Sequence, residues 1–293
     1  MIQTVYREIA RARGTLRRFV GGSAVTRVAV VVFVIFVLVA VFAPLIAPYP
    51  QDAIGAVHPA DGLASPSLRH LMGTDELGRD IFSMVVIGSR ISIGISFLTI
   101  LIALAIGVSL GLIAGYVGGG VDEGIMRFTD IVLAFPSLLL AVAIAATLGP
   151  SLSHAAIAIA LSWWPWYTRL IRNQVVNLRS ADFIQAASLS GLRRSAVLVK
   201  HVLPNALTPV VVQASMDLGS VLLTLAGLDF LGLGAQPPTP EWGLLVSDAQ
   251  NYALTSWWYI TFPGLAILLS TSAMNLMGDA LNDLLNPRER GVL

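Results

Sequence analysis

Residues 26–48 carry a single charged side chain, Arg27, and residues 91–116 carry none. Four more stretches, 129–148, 153–170, 206–228 and 258–277, hold at most one charge each. A hydrocarbon layer about 30 Å thick is spanned by about 20 residues of helix rising 1.5 Å each, so all six read as membrane-crossing helices. The first is longer than the roughly 7–15 apolar residues of a secretory signal and reads as a retained anchor. Pro136, Pro165, Pro209 and Pro263 fall inside the stretches. Membrane bundles tolerate such breakers where neighbouring helices pair the freed backbone groups. The expected class is an all-α membrane protein.

Composition agrees. Of 293 residues 12% are charged and 56% hydrophobic, against about 25% charged in soluble domains. A net charge of +1 gives no sign of a nucleic-acid partner. Without cysteine there is no disulfide, thiol nucleophile or zinc–thiolate site. Orientation follows from arginine, which collects on the cytoplasmic side. With both termini inside, the inner segments hold Arg7, Arg11, Arg13, Arg17, Arg18, Arg27, Arg127, Arg169, Arg172, Arg179, Arg193, Arg194, Lys200, Arg288 and Arg290. The outer ones keep only Arg69, Arg79 and Arg90. An N-in, C-in topology is predicted.

Sites of common chemistry are missing. The only lysine, Lys200, follows Val199, so no G-x-x-x-x-G-K-[ST] loop exists to cradle a nucleotide. His58, His70, His154 and His201 are too scattered to suggest a metal site, and nothing points to an enzyme. Asp217 lies within the fifth stretch, with Gln213 one turn before it on the same face. Intramembrane acids are costly and commonly functional; this pair either lines an aqueous path or bonds a neighbouring helix. Asp130 sits near a span end and reaches the interface. Ala103, Gly107, Gly111 and Gly115 form a small-residue stripe that lets helices approach, within the chain or against a partner.

Residues 180–205, "SADFIQAASLSGLRRSAVLVKHVLPN", separate the fourth and fifth spans. Helix connections usually take about 2–8 residues. This one reads as two short helices, 181–190 and 192–202, turning at Gly191 and halted before Pro204. A glycine there suits the left-handed cap that ends a helix. Either it is a solvated loop or something docks on it. A second outer segment, "TDELGRD" (74–80), reads as an amphipathic surface helix that contacts a binding protein, an external gate or the lipid interface.

The run Gln185-Ala186-Ala187, three residues, Gly191, nine residues, then His201-Val202-Leu203-Pro204 resembles the EAA loop of ABC-importer permeases, E-A-A-x3-G-x9-I-x-L-P. Gln185 stands where that pattern has Glu, and His201 where it has Ile; Gln185 lacks the charge with which a Glu forms an ion pair. "HLMGTDELGRDIFSMVVIGSRISIGIS" from His70 and "DFLGLGAQPPTPEWGLLVSDAQ" from Asp229 are similar to the C-type permease of dipeptide, oligopeptide and nickel importers. The similarity runs from the first span to Arg290.

The resemblance implies an N-terminal helix added to a five-helix type I importer core, in the bacterial cytoplasmic membrane. It divides the chain into an inner segment 1–25, a first helix 26–48, an outer segment 49–90, a core 91–280 with coupling loop 180–205, and a tail 281–293. It implies a homologous B-type permease, two cytoplasmic ATPase subunits that hold ATP and Mg, and an outer substrate-binding protein; this chain itself would bind no cofactor. In that family the EAA segment is a coupling helix seated in a groove of the ATPase. Gly191 would be its turn, Ala186 and Ala187 its close-packing face, and Leu203 and Pro204 the return into the fifth span. Arg193 and Arg194 would pair with ATPase acids or form a solvated face. Peptides are the expected cargo, with nickel chelates or glutathione as the alternative. An ion-coupled carrier or a membrane scaffold is the competing class.

Overall fold

A computed structural model describes residues 24–285, which are mostly helical; turns and irregular chain fill most of 55–80 and 231–241, with one isolated antiparallel bridge between Thr74 and Asp80. Residues 1–23 and 286–293, with Arg7, Arg11, Arg13, Arg17, Arg18, Arg288 and Arg290, lie outside the described residues, as do the side chains of Ser188, Arg194 and Ser195. The long helices are α1 (Ala24–Ile46), α2 (Ile81–Val117), α3 (Gly119–Leu133), α4 (Ser137–Leu148) and α5 (Leu152–Arg179). After the short α6 (Asp182–Leu189) and α7 (Arg194–Val197) come α8 (Leu203–Phe230), α9 (Trp242–Ala249) and α10 (Trp257–Leu285).

Three helical runs are long and apolar enough to cross a membrane: α2, Leu198–Phe230 and Trp257–Asn282. The predicted third span is not one helix. Its halves, α3 and α4, meet at 86°; together they would make a fourth crossing. Pro136 causes the break, because it supplies no amide and forces Phe135 away from helical geometry. The predicted fourth span lies inside α5, which continues to Arg179 and falls short on apolar density. In α1 the apolar run is Val30–Ile46.

The small-residue stripe is resolved by packing: it faces α5 of the same chain. A methyl on Gly107 would stand 2.6 Å from Tyr167 Cβ, and one on Gly115 2.9 Å from Val175 Cβ. Tyr167, Ile171 and Val175, spaced four apart on α5, are wholly buried against Gly107, Gly111 and Gly115. Without a hydrophobic drive between helices in lipid, such backbone approach is what holds them together. Gly278 of α10 approaches Met216 of α8 in the same way. α1 leans on α2 and α10 and leaves Val34, Leu38, Val41 and Phe42 exposed on its outer side.

α2 has 37 residues, about 55 Å at 1.5 Å each, well beyond one bilayer core. Its first turns pass beneath residues 49–80. Asp80 caps it, with Oδ2 accepting the Ser83 amide at 2.8 Å. The segment "TDELGRD" is no helix, contrary to expectation. It is a buried turn closed by the Thr74–Asp80 bridge, with Gly78 at φ +77°. Asp75 Oδ1 accepts the amides of Leu77 and Arg79, and a methyl on Gly78 would fall on the His58 carbonyl. A carboxylate that gathers nearby amides competes with the helix it would otherwise start.

Candidate functional site

α6 and the turn after it form one candidate site. Gly191 has φ +77°, the left-handed geometry expected of it, and a side chain added there would meet open space within this chain. Ile184 is buried and Ala187 packs on the core, so this side of α6 is held to the bundle. Ala186, Phe183 and Leu189 point away, Leu189 with 88% of its surface exposed. The two alanines therefore serve opposite faces, and Ala186 alone lies outward. The Gln185 amide donates to the Ser180 carbonyl at 3.2 Å. Arg193 and Leu192 are exposed.

The second predicted helix does not stop before Pro204. The chain passes from α7 through a π turn, Leu198–Val202, directly into α8, with the Leu203 amide bonding Leu198 O. Proline lacks the amide that would reach Lys200 O and its ring crowds that carbonyl. Widening the preceding turn absorbs the misfit without ending the helix. Leu203 is half-buried and Pro204 exposed, and α8 follows the π turn with no loop between them.

Deeper in the bundle Tyr167 Oη donates to Asp217 Oδ2 at 2.7 Å, and Gln213 Nε2 donates to Asp217 Oδ1 at 3.0 Å. Asp217 therefore binds a neighbouring helix, the interhelical one of its two expected roles. Gln213 does more: it lines two adjoining surface cavities of about 330 and 200 Å³, beside Thr208, Asn282, Trp166, Arg169 and Asn173. Arg169 also pairs with Asp130 at 2.6 Å, and Arg172 with Asp122 at 2.5 Å, both tying α5 to α3. Leu170, Pro209, Val212 and Met216 complete the lining of the two cavities, so the polar groups form a strip within a trough that is otherwise apolar. Among the described residues no three His, Asp or Glu side chains stand close enough to hold a metal ion.

The end of the bundle that carries residues 49–80 is closed. Glu241 caps α9, accepting the amides of Gly243 and Leu244 with Oε2, and takes the Ser92 hydroxyl on Oε1 at 2.7 Å. Trp242, fully buried, donates Nε1–H to Val85 O at 2.9 Å, while Asp229 accepts the Ala235 amide. Beside this lid the Arg79–Asp75 pair closes at 2.6 Å with both side chains buried. Burial raises the Asp75 carboxyl against the pull of Arg79. Burial also works against the Arg79 charge, but Asp75 prevails and holds it above its ordinary range. Burial, with Glu76 and Asp75 nearby, pushes Asp248 up to about 6. Sequence reasoning passed over Glu241, Trp242, Asp75 and Asp248 as site residues. The readable signal was Pro240 followed by an acid and an apolar run, a helix start.

Residues 107–291 match the family described as the inner membrane component of binding-protein-dependent transport systems. Residues 24–66 match the N-terminal transmembrane domain of oligopeptide transport permease C. A probable D,D-dipeptide transport system permease of Escherichia coli (strain K12) is 45% identical over 92% of this chain and 90% of its own length. A dipeptide transport system permease of Alkalihalophilus pseudofirmus is 44% identical over 89% and 85%. A nickel transport system permease of Escherichia coli (strain K12) is 38% identical over 89% and 93%. The chain thus belongs to the binding-protein-dependent permeases, inner-membrane proteins, and within them to the C-type subunits of the dipeptide, oligopeptide and nickel family.

Proposed function

We propose that this chain is one of two permeases forming the path of an ATP-driven importer for di- or oligopeptides. A homologous B-type permease would complete the path, two ATPase subunits would bind beneath it, and a binding protein would deliver cargo from outside. The chain performs no catalysis of its own in this reading. Six crossings, with N-in, C-in orientation, suit the arginine distribution. The observation that carries the reading is α6: a helix held to the bundle by Ile184 and Ala187 while Phe183, Ala186 and Leu189 face away from it. Exposed apolar side chains clustered on one small element mark a surface that another protein covers.

Motion of that partner would pass through the Leu198–Val202 turn into α8 without an intervening loop. In this reading Gln185, Ala186, Gly191, Arg193, Arg194, Leu203 and Pro204 form or support the docking element, and Ala187 anchors it from behind. Gln213, oriented by Asp217, lines the path, because amides pair with peptide groups whatever the peptide's side chains. The polar strip of the trough supports this: Asn and Gln side chains on membrane helices face water or protein rather than lipid.

Peptide cargo is supported by the dipeptide permeases at 44–45% identity, above the nickel permease at 38%. The test is reconstitution of the two permeases and two ATPase subunits in proteoliposomes, with the binding protein added. Dipeptides should stimulate ATP hydrolysis and accumulate inside; stimulation only by a nickel chelate or by glutathione would replace peptide as the cargo. A carrier working on an ion gradient without ATP would overturn the whole reading. A reporter fused after Leu293 should be active only in its cytoplasmic form.

A further inference from the structure

Arg90 is the only charged residue in the whole of α2. It stands immediately before the predicted crossing 91–116. Its side chain is exposed, and among the described residues no ion pair or hydrogen bond engages it. It sits at one wall of a groove of about 290 Å³ between α1 and α2, with Val37, Ala40 and Val41 opposite and Ile93 and Gly94 below. Gly94 leaves the groove open, since a methyl there would touch nothing within 4 Å. Beyond Gly94 and as far as Leu101 the exposed residues of α2 are Phe97, Leu98 and Leu101, all apolar. From Arg90 to Leu101 the helix descends about 16 Å at 1.5 Å per residue, on the scale of an acyl chain.

A lone guanidinium next to hydrocarbon is unfavourable unless an anion meets it. Arginine suits phosphate oxygens in particular, through its paired N–H groups. We propose that the α1–α2 groove is a phospholipid site, with Arg90 on the lipid phosphate and one acyl chain lying over Gly94 toward Leu101. A bound lipid there would brace α1, whose other support is α10, against the rest of the bundle. The proposal rests on α2 crossing the membrane, which reporters fused before and after it, at Gly78 and Gly119, test separately by their opposite activities.

The experiment is lipid retention by the purified importer complex, read by native mass spectrometry after delipidation and return of phosphatidylglycerol, diacylglycerol or inorganic phosphate. The parent should keep phosphatidylglycerol in preference to diacylglycerol, which has the same tails and no phosphate. Arg90→Gln should reduce that retention about fivefold, the worth of one basic side chain at a lipid surface. Gly94→Leu should reduce it as well while leaving the arginine in place, because it fills the groove without an internal clash. Equal retention in the parent and both variants would overturn the site. So would displacement of the lipid by inorganic phosphate alone. Rescue of Arg90→Glu by a new arginine on the second permease would also overturn it, showing that a protein carboxylate is the natural occupant.

Discussion

The two ends of this bundle are built on opposite rules. At the end that carries residues 49–80, the outer one in the proposed orientation, Asp75, Arg79, Asp80, Glu241 and Trp242 are buried, and each hydrogen-bonds within the chain. At the end that carries α6, the inner one in that orientation, Phe183, Leu189 and Leu192 are exposed, and a methyl on Gly191 would meet nothing within 4 Å among the described residues. Polar groups buried without partners are costly, and most of those at the outer end are paired within the chain. His70 Nε2, Glu76 Oε2, Asp229 Oδ2 and Tyr259 Oη find no partner among the described residues. Exposed apolar groups cost little in a free chain and contribute only when something covers them. The outer end is therefore held together chiefly by contacts within this chain, and the inner end leaves apolar side chains uncovered by it.

Arg79→Ala should show the largest effect. It strands a buried carboxylate and should destabilise the protein by about 3–5 kcal/mol, read from thermal unfolding of the purified permease pair. A loss below about 1 kcal/mol, the range of a surface ion pair, would erase the contrast between the ends. The inner counterpart is the double variant Phe183→Ala with Leu189→Ala. Its thermal midpoint should match the parent, while ATPase affinity falls by about 1–3 kcal/mol, or roughly fivefold to more than a hundredfold. A large drop in the midpoint with normal ATPase binding would make α6 a structural element instead.

Gly191 sharpens the point further. Gly191→Val at φ +77° incurs about 1–2 kcal/mol of backbone strain and should uncouple ATP hydrolysis from uptake. Asn tolerates left-handed geometry, so Gly191→Asn should restore coupling if conformation alone matters; failure with Asn would mean that the docked partner needs the bare backbone.

The smallest effect is electrostatic and belongs to the outer end. Asp248, raised to about 6 by burial and by Glu76 and Asp75, binds its proton more tightly in the folded state than in the unfolded one. Its stabilising contribution is complete below the unfolded value of about 3.9 and is lost as pH rises through 6. Asp248→Asn should therefore stabilise the protein at pH 7.5 and not at pH 4, by about 1 kcal/mol at most, since the group is half in solvent and screened. A gain of the same size at both pH values would assign the effect to packing.

How much of this was legible beforehand differs by element. The apolar stretches announced α1, α2, α8 and α10, because hydrocarbon admits few solutions and each is long. Gly191 was readable from its type and place, since a left-handed cap nearly requires glycine. The third span misled because apolarity says nothing about direction; Pro136 bends it by 86°. The helix expected to end at Pro204 instead widens by one turn, an adjustment invisible to any residue pattern. "TDELGRD" has helix-forming residues, yet Asp75 finds closer amides in a turn and Arg79 across it.

The order of residues alone determined that this chain lives in lipid, which long apolar segments form helices, and where a left-handed turn must fall. These depend on transfer free energies and local sterics, which each segment carries with it. Tertiary structure alone decided that the glycine stripe faces Tyr167, that Asp217 bonds α5, that Glu241 and Arg79 seal one end, and that Arg90 has no partner among the described residues. Those outcomes depend on which helix lies beside which, and a contact between residues far apart in sequence exists only once the backbone has brought them together.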